Sequence, residues 1–173
     1  MNDSLKDLIA DYPDFPEPGI IFRDISPLLA SPTAFRSVIK AMAAEIKRQE
    51  IDCLVAIESR GFLFAAPLAT EANLPLVLVR KEGKLPGELQ RLDYALEYGS
   101  AVLELQSNGV KSGQRLAVID DVLATGGTAA AAGELCRRSG AEVALYLFLI
   151  ELEGLAGRAQ LGASEVCSLI KYS

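Results

Sequence analysis

The feature that most constrains this chain is a series of continuous apolar runs separated by stretches with helical spacing. The runs are rich in Val, Ile and Leu and cover residues 51–57, 76–79, 101–105, 116–119, 143–150 and 166–170. Between them, apolar residues recur every three or four positions at 35–46, 62–72 and 128–138, which predicts helices. Continuous apolar strands are typical of a parallel sheet that helices cover on both faces. We therefore predict an α/β fold with a central, mostly parallel sheet flanked by helices.

Two stretches interrupt this alternation. Residues 12–32 hold five of the eight prolines, so we expect an extended arm there rather than a core element. Residues 81–100 are polar, charged and broken by Gly and Pro. A long loop inside a compact domain is usually functional, and active-site lids are a common case. The second stretch is accordingly predicted to be a lid loop.

Composition limits the function classes that need to be considered. The 173 residues suit a single domain, 1–173. A net charge of −6 argues against a nucleic-acid footprint over the whole surface. The absence of histidine excludes Ser-His and Cys-His catalysis, and three widely spaced cysteines predict neither disulfides nor a zinc site. With no apolar run near the ~18 residues of a membrane span and no signal peptide expected, we predict a cytoplasmic protein.

One motif carries a chemical prediction, VIDDVLATGGT at residues 118–128. Asp120 and Asp121 follow a buried strand, where open α/β sheets bind ligands. The turn 125–128, with two threonines and two glycines, leads into a helix whose N-terminus favours an anion. Carboxylates would repel that anion, so they suit hydroxyl donors or a cation beside it. The motif therefore predicts a site for a sugar phosphate bound with Mg²⁺.

The two halves of this motif also occur in other settings. An isolated Asp-Asp pair at a strand end is also typical of a turn or a helix cap. An apolar strand ending in Asp-Asp also occurs in P-loop NTPases, but the chain has no GxxxxGK[ST] loop. It has no GxGxxG fingerprint for a dinucleotide either. The contiguity of the acidic pair and the glycine turn favours the sugar-phosphate site.

The motif resembles the phosphoribosyl-diphosphate-binding motif of type I phosphoribosyltransferases. Further segments resemble the adenine phosphoribosyltransferases: FPEPGIIFRDISPLL (15–29), ESRGFLF (58–64), RKEGKLPG (80–87) and LEYG (96–99). The resemblance covers nearly the whole chain, with the segments in the family's order. It implies the type I phosphoribosyltransferase fold, with a small N-terminal hood and a long flexible lid loop. The implied reaction, part of purine salvage, joins adenine and 5-phosphoribosyl-1-diphosphate (PRPP) to give AMP and pyrophosphate.

The resemblance also implies which residues bind PRPP. The turn from Glu58 to Gly61 is expected at the diphosphate, often with a non-proline cis peptide. The 5′-phosphate is expected at the glycine turn, and the ribose hydroxyls at the acidic pair. Mg²⁺ is expected to arrive with PRPP, with no direct protein ligand and with a water-mediated contact to Asp120 or Asp121 left open. The full predicted PRPP set is Ser59, Arg60, Arg80, Lys81, Lys84, Asp120, Asp121, Ala124, Thr125, Gly126, Gly127 and Thr128.

Base recognition and proton transfer are assigned by the same resemblance. Phe22 and Val122 are expected to stack on the adenine ring from opposite sides. Backbone atoms of Ile21 and Arg23 are expected to read the purine edge. Glu97 is the candidate for handling the adenine proton, and Arg60 joins it as a catalytic candidate. The family further implies a homodimer.

Three departures and two rival functions accompany this interpretation. Val122 stands where the family more usually has Leu, Glu82 places an acid in the basic loop, and the stretch 88–93 does not match the family pattern closely. A hypoxanthine, guanine or xanthine phosphoribosyltransferase would be expected to present a Lys to a 6-oxo group, and none lies beside Val122. A non-catalytic PRPP or purine sensor is disfavoured by the retention of Glu97 and the basic loop.

Overall fold

The structure, a computed structural model, describes residues 5–95 and 100–173. The strands are β1 (Ala10–Pro13), β2 (Ile21–Asp24), β3 (Cys53–Ile57), β4 (Leu76–Lys81), β5 (Leu89–Ala95), β6 (Ser100–Gln106), β7 (Arg115–Leu123), β8 (Glu142–Leu152) and β9 (Glu165–Tyr172). The α-helices are α1 (Ser26–Leu29), α2 (Pro32–Arg48), α3 (Gly61–Ala72) and α4 (Gly127–Arg138). Two 3-10 turns, Glu153–Leu155 and Gly157–Gln160, lie between β8 and β9.

The central sheet has the strand order β5-β6-β4-β3-β7-β8-β9. Strands β4, β3, β7, β8 and β9 run parallel to one another. Strand β6 pairs antiparallel with β4, and β5 pairs antiparallel with β6 at the edge of the sheet. Strand β3 is buried along its whole length, as expected for a central strand covered on both faces. The prediction of a mostly parallel α/β sheet is confirmed.

Side-chain alternation along the sheet separates two hydrophobic cores. Leu54 and Ala56 of β3 face the core that includes residues of α2 and α3. Val55 and Ile57 face the opposite core, to which α4 contributes Leu135 and its neighbours. Helices on both faces therefore fix the sheet, and the carboxyl ends of its parallel strands form one edge.

The helix boundaries follow the sequence signals. Helix α2 begins after Ser31, whose hydroxyl accepts a hydrogen bond from the Ala34 amide at 3.4 Å. Helix α4 ends before Ser139 and Gly140, and Gly140 has a φ of +81°, which favours glycine. These local residues therefore set the start of α2 and the end of α4.

Two expectations from the sequence need correction. Ile25 and Leu28 lie in the arm 12–32 but are buried in the core, so the end of the arm is a core element. Residues Leu89–Ala95 of the predicted lid loop form strand β5, which pairs with β6 along its length. Charged residues alternate with Leu92 and Tyr94 there, and that alternation is typical of a strand with one exposed face. No helix among the described residues is both long and apolar enough to cross a membrane.

Candidate functional site

The acidic pair lies near the carboxyl end of β7, which continues to Leu123 rather than ending before Asp120. The Asp121 amide donates to Asp120 Oδ1 at 2.9 Å. Burial, followed by the charge of Asp121, raises the pKa of Asp120 well above its ordinary value. Burial also raises the pKa of Asp121, although Arg60 opposes that shift. Two carboxyl groups are thus held together where water solvates them poorly.

Arg60 joins this pair to the arm. Its Nε lies 2.8 Å from Asp121 Oδ2, and its guanidinium stands 5.4 Å from the centre of the Phe22 ring. The contact leaves Asp121 Oδ2 buried without a hydrogen bond that satisfies normal geometry. Three segments that are far apart in sequence therefore meet at one guanidinium, and three predicted site residues are brought together.

Gly61 explains how α3 approaches the acidic pair so closely. A Cβ at this position would lie 2.6 Å from the Ile119 carbonyl oxygen and 3.2 Å from Asp120 Oδ1. A side chain would therefore push the start of α3 away from β7. The glycine of the ESRG segment keeps Arg60 within reach of Asp121.

The glycine turn forms the second half of the site. Residues 124–126 connect β7 to α4, and Gly126 has a φ of +86°, a conformation that favours glycine. Thr128 lies in the first turn of α4, where backbone N–H groups lack acceptors within the helix. These donors and the helix dipole make the turn suitable for a phosphate group.

A segment that the sequence analysis did not consider supports this turn. A Cβ on Gly126 would lie 2.4 Å from the Gly157 carbonyl oxygen, and a Cβ on Gly157 would lie 2.1 Å from the Ala124 carbonyl oxygen. The 3-10 turn at 157–160 and the glycine turn are therefore in direct backbone contact. No local signal marks Gly157, because its requirement comes from a partner about 30 residues earlier in the chain.

Tyr94 is a second residue that the sequence analysis missed. The Thr128 hydroxyl donates to the Tyr94 hydroxyl oxygen at 3.3 Å. At the other end of α4, Gln90 Nε2 donates to Ser139 Oγ at 2.9 Å. Strand β5 is thus fastened to α4 at both ends. The alternating pattern of β5 was the available signal.

The basic residues after β4 have defined partners. Arg80 donates to both carboxylate oxygens of Glu58, at 3.0 and 3.3 Å, and to the Lys84 carbonyl oxygen at 3.1 Å. The Arg80 hydrogen bond lowers the pKa of Glu58 below its ordinary value. Lys81 and Lys84 are exposed. Glu58 and Ser59 are joined by a cis peptide bond, as the resemblance implied.

The predicted base-binding residues lie in different surroundings. Phe22 contacts Phe15 edge-on at 5.3 Å and lines an open groove of about 570 Å³ together with Tyr12. The Arg23 side chain pairs with Asp11 and lies 3.9 Å from the centre of the Tyr172 ring, so these groups occupy the side chain.

The other two predicted base-binding residues are Ile21 and Val122. Ile21 is 48% exposed. Val122 is half-buried against the core that α2 and α3 cover. Glu97 lies outside the described residues.

Comparisons with known proteins give consistent matches. The profile of the phosphoribosyl transferase domain matches residues 25–161. An adenine phosphoribosyltransferase of Carboxydothermus hydrogenoformans is 52% identical, over 97% of this chain and 99% of its own length. The crystal structure of the Thermoanaerobacter pseudethanolicus adenine phosphoribosyltransferase superimposes with a TM-score of 0.96 at 42% identity, covering 99% of this chain and 100% of the other.

A further solved structure carries ligands. The Saccharomyces cerevisiae adenine phosphoribosyltransferase, complexed with adenine and D-2,5-dideoxy-2,5-imino-altritol 1,6-bisphosphate, has a TM-score of 0.93 and 41% identity. The match covers 97% of each chain.

Proposed function

The chain belongs to the adenine phosphoribosyltransferase family, and we propose that it transfers the 5-phosphoribosyl group from PRPP to N9 of adenine, releasing AMP and pyrophosphate. The observation that carries this proposal is the position of Arg60 between Asp121 and Phe22. It places a carboxylate suited to a pentose, a cation suited to a diphosphate and an aromatic ring suited to a purine at one edge of the sheet. The full-length relatives support the same reaction.

The ribose-phosphate part of PRPP is assigned to β7 and the start of α4. Backbone amides of residues 124–128 and the hydroxyls of Thr125 and Thr128 would hold the 5′-phosphate. Asp120 and Asp121 would accept hydrogen bonds from the 2′- and 3′-hydroxyls. Each such bond favours the ionised carboxylate, so PRPP would offset the burial that raises the pKa of both groups.

The diphosphate is assigned to the turn after β3 and the basic turn after β4. Ser59 and Arg60 would contact it from the first turn, with Lys81 and Lys84 contributing positive charge from the second. Arg80 is already bonded to Glu58, so its role would be to hold the two turns together and add charge. Departure of the diphosphate leaves positive charge at C1′, and positioning with charge stabilisation would supply most of the catalysis.

Mg²⁺ fits this site as a companion of PRPP. Asp121 Oδ2 is buried beside Arg60 without a hydrogen bond of normal geometry, and carboxylate oxygen is a ligand that Mg²⁺ prefers. Across residues 5–95 and 100–173, no cluster of three or more His, Cys, Asp or Glu residues could hold a metal. The protein would contribute a water-mediated contact from Asp120 or Asp121. Bound Mg²⁺ would offset the negative charge that develops on the leaving diphosphate.

Adenine is assigned to the arm. Phe22 and Val122 would cover the two faces of the ring, and backbone atoms of Ile21 and Arg23 would pair with the 6-amino group and N1. A 6-oxo purine reverses that donor and acceptor pattern and leaves buried groups unpaired, which can discriminate by ~10⁴ or more. This selectivity separates the proposal from a hypoxanthine or guanine enzyme.

Glu97 is proposed, from the resemblance, to handle the adenine proton during attack by N9. Glu97→Gln keeps the shape of the side chain but removes its basic group. It is expected to lower turnover by about 10²-fold or more while PRPP still binds. Steady-state kinetics together with PRPP titration calorimetry measure both quantities. Unchanged turnover would remove Glu97 from the mechanism.

The proposed reaction is tested by pyrophosphate release from PRPP over a panel of purines, with and without Mg²⁺. We expect release with adenine and little with hypoxanthine, guanine or xanthine. Comparable turnover of a 6-oxo purine would overturn the base assignment. PRPP binding without turnover of any base would favour the sensor function. The cytoplasmic location and the homodimer stay predictions.

A further inference from the structure

A row of alternating acidic and basic side chains crosses four neighbouring strands of the sheet. Glu58 follows β3, and Arg80 of β4, Glu104 of β6 and Arg91 of β5 stand side by side in register. Arg80 bonds to Glu58, and Arg91 Nε lies 2.9 Å from Glu104 Oε1. The row runs from the turn assigned to the diphosphate to β5, which lies within the predicted lid segment.

Glu104 is the member whose position most needs explanation. Its side chain is fully buried, and both of its neighbours in β6, Leu103 and Leu105, are apolar core residues. Its Oε1 faces Arg91 without normal hydrogen-bond geometry. A buried ion pair is often no more stabilising than well-packed apolar side chains, so stability alone gives little reason for a carboxylate here.

The hydrogen bond to the second carboxylate oxygen of Glu104 indicates the structural role of this side chain. Oε2 accepts a hydrogen bond from the Gly83 amide at 3.0 Å. Two residues earlier, the Lys81 amide donates to Glu58 Oε2 at 3.0 Å. Arg80 closes the turn by donating to the Lys84 carbonyl oxygen at 3.1 Å. Two carboxylates and one guanidinium therefore fix the backbone of the basic turn, residues 81–84, at three points.

We propose that Glu104 is a positioning residue for PRPP binding, because it holds the basic turn in the conformation that presents Lys81 and Lys84 to the diphosphate. This inference rests on the proposed function of the site. Both lysines are exposed, and long exposed side chains gain a fixed direction only from the backbone that carries them. The buried carboxylate provides that fixed backbone without touching the substrate.

The test compares Glu104→Leu with Glu104→Gln. Leucine removes the acceptor of the Gly83 amide, whereas glutamine keeps an acceptor and loses only the charge. We expect KM for PRPP to rise about tenfold with leucine and about threefold with glutamine. We expect kcat and KM for adenine to stay within error of the wild type. This split between the two KM values is one that a general loss of folded protein would not produce.

Two controls accompany the kinetics. Glu134→Gln removes an exposed carboxylate that pairs with Arg138 within α4, away from the basic turn, and should leave both KM values unchanged. Amide exchange by NMR should show the Gly83 N–H protected in the wild type and exchanging faster in Glu104→Leu. If the leucine variant does not fold, Arg91→Met replaces a side chain that is 58% exposed and removes the counter-charge of Glu104. It should raise KM for PRPP about threefold.

The outcomes separate this inference from the proposed function. If the wild type releases no pyrophosphate with any purine, the proposed function fails, and Kd for PRPP replaces KM in the comparison. If the wild type is active but a folded Glu104→Leu keeps its KM for PRPP, the positioning role of Glu104 is overturned. An equal loss in kcat and in both KM values would also overturn it, in favour of a general structural role.

Discussion

Asp121 and Glu151 are equally buried carboxylates at the same edge of the sheet, but they have opposite surroundings. Each is 4% exposed, and they lie on the adjacent parallel strands β7 and β8. Glu151 accepts two hydrogen bonds from Arg158, one of them at 2.7 Å. These bonds are the largest cause of the lowered pKa of Glu151. The pKa of Asp121 is raised by burial, and its Oδ2 lacks a hydrogen bond.

The difference distinguishes a carboxylate that stabilises the fold from one that we assign to a ligand. Arg158 fully pairs Glu151 and belongs to the 3-10 turn at 157–160, which backs the glycine turn through Gly157. Asp121 Oδ2 faces Arg60 at 2.8 Å but makes no hydrogen bond of normal geometry, at the position assigned to the pentose. Burying an unpaired polar group costs stability, and such a group persists where a bound molecule completes it.

The largest effect is expected from a change at Asp121, the carboxylate assigned to the ribose. Asp121→Asn preserves size but replaces one acceptor oxygen with a donor that faces Arg60. We expect kcat/KM to fall by about 10²–10³-fold, the usual effect of removing one charge-stabilising group from an active site. Thermal unfolding of the variant should show no loss of stability at neutral pH. Wild-type kinetics would contradict the assignment of Asp121 to the ribose.

The next change tests the backbone contact between the 3-10 turn at 157–160, to which Arg158 belongs, and the glycine turn. Gly157→Ala places a methyl group against the Ala124 carbonyl, where the structure leaves only 2.1 Å. We expect a loss of about 1–3 kcal/mol in the free energy of unfolding and weaker binding of PRPP through its 5′-phosphate. Denaturant unfolding and the Kd for PRPP measure the two consequences. Gly154→Ala is the matched control, because no atom lies within 4 Å of the added Cβ.

A third change removes the arginine partner of Glu151. Arg158→Met leaves Glu151 buried without its cation and should cost about 1–2 kcal/mol, a range reduced because Arg158 is 41% exposed. The pKa of Glu151 is lowered from its ordinary value of 4.5, so the pair contributes its full stability at pH values above 4.5. That contribution is lost as the pH falls through the lowered pKa. The deficit should therefore be full at neutral pH and shrink on acidification.

The control for this third change is Arg138→Met. It removes a cation from the exposed Glu134–Arg138 pair of α4 and should cost less than about 0.5 kcal/mol. Urea unfolding of both variants from neutral to acidic pH makes the comparison. An equal cost in both variants would show that Glu151 gains nothing from being buried with its partner.

The smallest effect has the opposite sign. The pKa of Asp120 is raised by burial and by Asp121, so its ionisation costs stability as pH rises from the ordinary value of 3.8 through the raised pKa. Asp120→Asn should therefore stabilise the protein by about 0.5–1 kcal/mol at neutral pH, with the gain disappearing in acid. Melting temperatures across pH measure the gain. A destabilised variant at neutral pH would show that the folded protein needs this charge.

The sequence by itself predicted the parallel strands, the three longer helices and the position of the acidic pair at the carboxyl edge. Continuous apolar runs predicted a parallel sheet, and a parallel sheet brings the ends of β3, β4 and β7 to one edge, because its strands share a direction. The motif at 118–128 therefore predicted a ligand site at this edge before any contact was known. These features are local, since hydrophobic spacing and glycine turns act within a few residues.

Tertiary structure alone decided which groups complete that site. The contact of Gly157 with the glycine turn, the meeting of Arg60 with Asp121 and Phe22, and the hold of Glu104 on Gly83 all join residues that are distant in sequence. Strand β5 likewise depends on its pairing with β6. No local pattern encodes such contacts, because each exists only where the packed helices and sheet bring two backbones within a few ångströms of each other.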